Sequence, residues 1–295
     1  VITDANLCTA NSSGNVTEPA VVTGSVASQT DVLCFGDNTG SVTIAGSGGT
    51  APYTYRIGVG LYQASGTFNG LSAGTYTITV RDFNSCTGTL NVTITEPSPL
   101  TIAVDSQTNV ACYGASTGEL TILAGGGIGP YQYSINAGPY QVSDTFTGLA
   151  AATYTVSIRD ANNCTTGFNV TITQPGSALA GFITAQTNAS CNGSTDGSVT
   201  VSGSGGTPSY MYNIDAGAFQ VSGTFNGLDA GPHTVVVQDA NMCTTNVNVT
   251  ITEPSPITGA IISQSNVSCF GGSNGSITIS GAGGTSPYQY SLDAG

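Results

Sequence analysis

Eight cysteines fall into two interleaved series, Cys34, Cys112, Cys191, Cys269 and Cys8, Cys86, Cys164, Cys243, and each series steps by 78 or 79 residues. A fixed period of this length constrains the fold more than total length does, because each period must bury a core of its own and the chain becomes a string of similar units. The pairs Glu18-Pro19, Glu96-Pro97, Gln174-Pro175 and Glu253-Pro254 keep the same period, and each ends an alternating run such as Leu90-Asn-Val-Thr-Ile-Thr95. Proline ends a strand ladder and stiffens the link that follows. The expected organisation is therefore the C-terminal part of a module at 1–19, complete modules at 20–97, 98–175 and 176–254, and the N-terminal part of another at 255–295. A chain that begins and ends mid-module reads as a window on a longer repeating protein.

Within 98–175 the period-2 runs are 100–104, 119–123, 131–135, 154–158 and 168–172, with shorter candidates at 140–142 and 145–146. About seven strands separated by Gly, Asn and Asp turns predict a small β-sandwich, and no segment carries a 3.6-residue apolar period. Forty-one glycines and no tryptophan suit an all-β chain rich in tight turns. The expected fold class is all-β: tandem immunoglobulin-like β-sandwich modules of ~78 residues, arranged as a linear filament.

Charged residues make up 6% of the chain, and the cations are Arg56, Arg81 and Arg159 alone. Binding to nucleic acid or to anionic lipid by counterion release is excluded on that composition. The net charge of −13 comes from sparse acids without opposing bases and names no partner. Regularly spaced cysteines without a Cys-x-x-Cys cluster point to disulfides in an oxidising, extracellular setting rather than to zinc. No apolar run approaches the ~20 residues of a membrane helix, so no membrane insertion is expected in this segment.

Four motifs recur in order: Cys-x-Gly-x-x-x-Gly, Gly-Gly-x-x-Pro-Tyr-x-Tyr, Gly-x-Phe-x-Gly-Leu-x-Ala-Gly-Thr-Tyr and Asp-x-Asn-x-Cys. Together they resemble the SprB-type repeat of very large surface adhesins in gliding Bacteroidota, across the whole chain. The resemblance implies a cell-surface, extracellular stalk and a Bacteroidota-type secretion route. Departures are Tyr210-Met-Tyr212 without its adjacent proline, Ala151-Ala152 for Ala-Gly, and His233 for the motif's last tyrosine.

Three cysteine pairings are open. Pairing within modules joins Cys34 to Cys86, Cys112 to Cys164 and Cys191 to Cys243, always 52 residues apart, with Cys8 and Cys269 paired outside the window. Pairing across a boundary joins Cys8 to Cys34, Cys86 to Cys112, Cys164 to Cys191 and Cys243 to Cys269. Loop entropy differs by only ~0.5 kcal/mol between these two. An immunoglobulin-like topology, however, sets the turn after the first strand and the turn before the last at opposite ends. In that topology neither pairing closes easily, and a third option appears, Cys34 to Cys164 and Cys112 to Cys243, which would staple each joint between modules. The invariant 52-residue spacing keeps pairing within modules, Cys34 to Cys86, Cys112 to Cys164 and Cys191 to Cys243, as the expectation.

The remaining motifs are weighed against structural uses. The Gly46–Thr50 stretch and its copies at 125–129 and 203–207 lack the lysine and following helix of a phosphate loop, and read as positive-φ turns. Asp82 and Asn84, Asp160 and Asn162, and Asp239 and Asn241 offer calcium-type oxygens, as do Asp4 and Asn6. They supply at most two side-chain ligands where calcium takes six to eight, and an Asx turn is the simpler use. No cofactor is expected, with calcium the one candidate. Asn-x-Thr triplets at Asn91, Asn169 and Asn248 are candidate glycosylation sites.

The single histidine, His233, occupies a tyrosine-corner slot in a repeated motif, and no paired carboxylates occur, so no enzyme is expected. The expected function is mechanical: a stalk and adhesive repeat region whose partners are neighbouring modules and external surfaces or polysaccharide. Two alternatives stand beside it. Tyr53, Tyr131, Tyr210 and Tyr288 could form an aromatic ladder for glycan, or the chain could assemble with its own copies by strand donation.

Overall fold

The computed structural model describes residues 1–292, so the last three residues of the 255–295 segment lie outside it. A hairpin of β1 (Ile2–Thr3) and β2 (Thr9–Ala10) comes first. The first full repeat holds β3 (Thr23–Thr30), β4 (Gly40–Ser47), β5 (Thr54–Ile57), β6 (Thr67–Leu71), β7 (Gly74–Arg81) and β8 (Thr87–Ile94). The second holds β9 (Thr101–Thr108), β10 (Gly118–Gly125), β11 (Gln132–Ile135), β12 (Thr145–Leu149), β13 (Ala152–Arg159) and β14 (Thr165–Ile172). The third holds β15 (Ala180–Thr187), β16 (Gly197–Ser204), β17 (Met211–Ile214), β18 (Thr224–Leu228), β19 (Gly231–Gln238) and β20 (Thr244–Ile251). A last pair, β21 (Thr258–Ser265) and β22 (Ser276–Ala282), opens the next.

Each full repeat makes two three-stranded antiparallel sheets, ordered β3-β4-β6 and β5-β7-β8 in the first and likewise in the others. This is the two-sheet order of an immunoglobulin-like sandwich with one edge strand omitted. The expected seventh strand, at 140–142 in the second repeat, is reduced to one bridge, Tyr133 to Gln141, with counterparts Tyr55 to Gln63 and Tyr212 to Gln220. The chain divides into two compact units, 1–106 with 121–145 and 154–170, and 107–120 with 146–153 and 171–295, the division passing through the second repeat.

Alternation builds the cores. Along β4, β7 and β8 every second side chain points inward, and Val42, Ile44, Ile78, Val80, Val92 and Ile94 form one buried cluster with Tyr55 and Leu71. The third repeat repeats it with Val199, Val201, Val235, Val237, Val249 and Ile251. The first strand of the repeat is different. β3 and β15 are almost wholly exposed and carry a bulge at the same place, Val26/Ser28 and Ile183/Ala185, as does β21 at Ile261/Ser263. A bulge in an edge strand resists pairing with foreign strands.

Candidate functional site: the joints between repeats

The sites that chemistry singles out in this chain lie at the two ends of each sandwich. At one end, the loop between the first two strands carries the Cys-x-Gly motif. In the first repeat Leu33 N–H donates to Thr39 Oγ1 at 2.9 Å, and Gly36, at a φ of 79°, donates its N–H to Glu96 Oε2 at 2.7 Å. Ala111 and Thr117, then Gly114 and Gln174, repeat these bonds in the second. The periodic Glu/Gln-Pro pair is thus more than a strand end, because its side chain holds the cysteine loop.

The Asp-x-Asn-x-Cys loop lies at the other end. Asp82, Asp160 and Asp239 are each 4% exposed. A buried carboxylate needs donors to replace water, and the backbone supplies them. Asp160 Oδ1 accepts N–H from Asn162 (2.9 Å) and Cys164 (3.0 Å), while Oδ2 accepts from Ile128 (2.9 Å). Asp239 accepts from Asn241, Cys243 and Thr207, all at 2.9 Å, and Asp82 from Cys86 and Thr50. The neighbouring glycine pair makes room: Gly48 and Gly49 have φ of 73° and 57°, and a Cβ on Gly49 would stand 2.5 Å from Asp82 Oδ2.

These bonds decide how the calcium candidates are used. The carboxylates of Asp82, Asp160 and Asp239 serve backbone N–H groups in Asx turns, and the amides of Asn84, Asn162 and Asn241 act as donors: Asn84 Nδ2 to Thr50 Oγ1, Asn162 Nδ2 to Leu33 O, Asn241 Nδ2 to Ala111 O. Among the described residues, no group of three or more His, Cys, Asp or Glu is placed to hold a metal.

The last two of those amide bonds cross from one repeat to the next, and the cysteines follow them. Cys34 is bonded to Cys164 and Cys112 to Cys243, with Cα–Cα distances of 5.6 and 5.7 Å. The first bridge lies in the first unit and the second in the second. Within-repeat pairing is corrected here for a physical reason. Cys34 precedes the start of β4, whereas the Cys86 loop is tied through Asp82 to Thr50, beyond the end of β4. Eight residues of strand at ~3.3 Å each separate the two ends by about 26 Å, far outside the ~7 Å limit for a disulfide. Cys86 and Cys191, expected among the bridged cysteines, are exposed thiols, as are Cys8 and Cys269.

The other single-residue candidates are structural. Tyr53, Tyr131, Tyr210 and Tyr288 are half-buried and donate their hydroxyls to the carbonyls of Gly48, Gly126, Gly205 and Gly283 at 2.6 to 2.8 Å. Tyr53 and Tyr210 pack on the cores of their repeats. Tyr76 makes the corner bond, O–H to Ser72 O at 3.0 Å. His233 keeps that contact, with Nε2 at 3.0 Å from Asp229 O, and adds Nδ1 at 2.7 Å from Asp215 Oδ2. Both partners are acceptors, so the doubly protonated ring satisfies both. Hydrogen bonding to Asp215 chiefly raises His233, and the bond from His233 lowers Asp215.

Sequence reasoning also missed two side-chain pairings within the repeats. Asp215 as the partner of His233 is one. The other is that all three arginines lie over tyrosine rings, Arg56 and Arg81 at 4.8 and 3.8 Å from the Tyr62 centroid and Arg159 at 4.3 Å from Tyr140. The signal available was the near-absence of other cations.

The SprB repeat family model matches residues 26–58, 104–139, 183–219 and 261–295. A search of the curated proteins finds no match. Among solved structures the chain is similar to three N-terminal domains of the outer capsid protein Hoc of bacteriophage RB49, at 12% identity over 79% of this chain and 98% of that one, TM-score 0.37. It is also similar to the eight N-terminal Ig domains of Down Syndrome Cell Adhesion Molecule, at 12% identity over 72% of this chain and 34% of that one, TM-score 0.31. A third is a C-terminal intimin fragment in complex with its receptor's binding domain, at 14% identity over 54% and 67%, TM-score 0.28. With four matches to the repeat model at the period of its own cysteines, the chain is a SprB-repeat protein.

Proposed function

We propose that this chain is a tension-bearing section of an extracellular stalk or adhesin, built of modules at 20–97, 98–175 and 176–254, with partial modules at 1–19 and 255–295. Its role is to hold a distal part away from the cell and to meet surfaces along its length, and it has no catalytic role. The observation that carries the reading is the pair of interleaved disulfides, each joining one repeat to the next. Without them, the covalent route from Cys34 to Cys243 is 209 residues of backbone. With both closed it shortens to the 52 residues between Cys112 and Cys164. At ~3.4 Å per residue the limiting lengths are about 710 and 180 Å. A chain braced in this way resists extension even when its small sandwiches open.

Single-molecule stretching of the oxidised chain, followed by reduction under load, tests the reading. The stalk function predicts that reduction releases about 530 Å of contour length. An oxidised chain that already extends to the reduced length would overturn it. The glycan alternative draws less support, because the hydroxyls of Tyr53, Tyr131, Tyr210 and Tyr288 are engaged with their own glycine loops.

A further inference from the structure

Two occupied joints and one incomplete one share a single design. At Cys34 the occupant is the Asp160-x-Asn162-x-Cys164 loop, and at Cys112 it is Asp239-x-Asn241-x-Cys243. In each, the asparagine amide donates to the carbonyl just before the cysteine, at 2.9 Å, and the sulfurs bond. The third repeat presents the same receiving loop. Ser190 N–H donates to Asp196 Oδ1 at 3.0 Å, where Leu33 and Ala111 donate to Thr39 and Thr117. Gly193, at a φ of 77°, donates to Glu253 Oε2 at 2.6 Å, as Gly36 and Gly114 do to Glu96 and Gln174. Cys191 itself is exposed, and it opens on a cavity of about 430 Å³ whose walls include Ser190, Asn192, Pro256 and Ile257.

The complementary loop is present too. In the β1–β2 hairpin, Asp4 Oδ1 accepts N–H from Asn6 and Cys8 at 2.9 and 2.8 Å, the geometry of Asp160. Cys8 and Cys86 are exposed at the tips of such loops.

We propose that the face around Cys191 is a docking site for the Asp-x-Asn-x-Cys loop of a further SprB repeat, and that Cys191 closes on that loop's cysteine. The recognition chemistry is a side-chain amide donated to the Ser190 carbonyl, followed by a disulfide. The oxidant is a small disulfide, RSSR. The loop cysteine thiolate attacks it to give Cys–S–S–R and releases RS⁻. The Cys191 thiolate then displaces a second RS⁻, and the two thiol protons end on the two released thiolates. The inference rests on the stapled joints rather than on their mechanical role.

The experiment uses the 295-residue chain with Cys269→Ser, so that Cys191 is the one unpaired receiving cysteine. It is held at micromolar concentration in a glutathione/glutathione disulfide buffer, where a second copy supplies the Cys8 and Cys86 loops. Mass mapping of the non-reduced digest should show Cys191 joined to Cys8 or Cys86 of another copy. Replacing Asn6 and Asn84 by alanine together should slow that link about tenfold, the equivalent of one hydrogen bond of ~1.4 kcal/mol. Cys191 joined to Cys191 as often as to the loop cysteines, capture by glutathione alone, or indifference to the asparagine changes would each overturn the proposal. The same digest reports Cys34–Cys164 and Cys112–Cys243. Their presence beside a failed Cys191 link sinks only this inference, whereas their absence removes the support for the stalk function itself.

Discussion

The core of a repeat and the joint between repeats are held by opposite means. In the first core, Ile78 and Val80 are fully buried among Val42, Ile44, Val92 and Ile94, and the attraction is non-directional and shared among many atoms. In the joint to the second repeat, Asn162 and Cys164 meet Leu33 and Cys34 near the surface, through one amide hydrogen bond and one covalent bond. A small sandwich has little spare apolar surface with which to grip a neighbour. The difference teaches that stability within a repeat and continuity between repeats are separately encoded, so each can be broken alone.

The largest effect should come from the joint. Changing Cys34 to Ser removes a bridge that spans 130 residues, which the chain-entropy model values at about 5 kcal/mol. Denaturant unfolding should then show the first two repeats losing concerted behaviour while the folded strand content stays unchanged. Ile78→Ala attacks the core instead and should cost about 3 kcal/mol, from lost burial and the cavity left behind. That loss should appear in the first repeat's unfolding with the Cys34–Cys164 bridge still present by mass mapping. Asn162→Ala removes only the amide bond across the joint. It should cost about 1 kcal/mol and accelerate reduction of Cys34–Cys164 relative to Cys112–Cys243.

The smallest effect separates two cores. A histidine raised above its unfolded value of 6.5 adds stability that is complete below that value and fades as pH climbs through the raised one. Asp215, lowered from 3.8, adds stability above that value that is lost as pH falls through the lowered one. The third repeat should therefore gain from this pair between about pH 4 and the raised histidine value, and lose the gain as pH climbs through that value. The first repeat, with Tyr76 at the corner, has no such pair. Melting curves of the native chain and of His233→Tyr across this range should differ in slope, with the variant flatter.

The cores were legible in the sequence because alternation is a local rule. Leu120, Ile122, Val156, Ile158 and Ile172, each picked out by a period-2 run, are all buried. The joints were legible only in part. Constant 52-residue spacing made Cys34 and Cys86 look like partners, yet spacing carries no information about which end of a sandwich a loop occupies. That depends on the length of β4, and topology was the one argument that put Cys34 with Cys164 among the candidates. The Asp-x-Asn turns were readable as turns. That Asn162 turns its amide outward to Leu33 of another repeat was not, since the partner lies 129 residues away. The Glu/Gln-Pro pairs were read from proline, and the carboxyl or amide that reaches Gly36 or Gly114 left no separate mark.

Disulfide mapping of the oxidised chain, digested without reduction, tests the stapled joint most directly. The account predicts cross-linked peptides containing Cys34 with Cys164 and Cys112 with Cys243, and peptides joining Cys34 to Cys86 or Cys112 to Cys164 would contradict it.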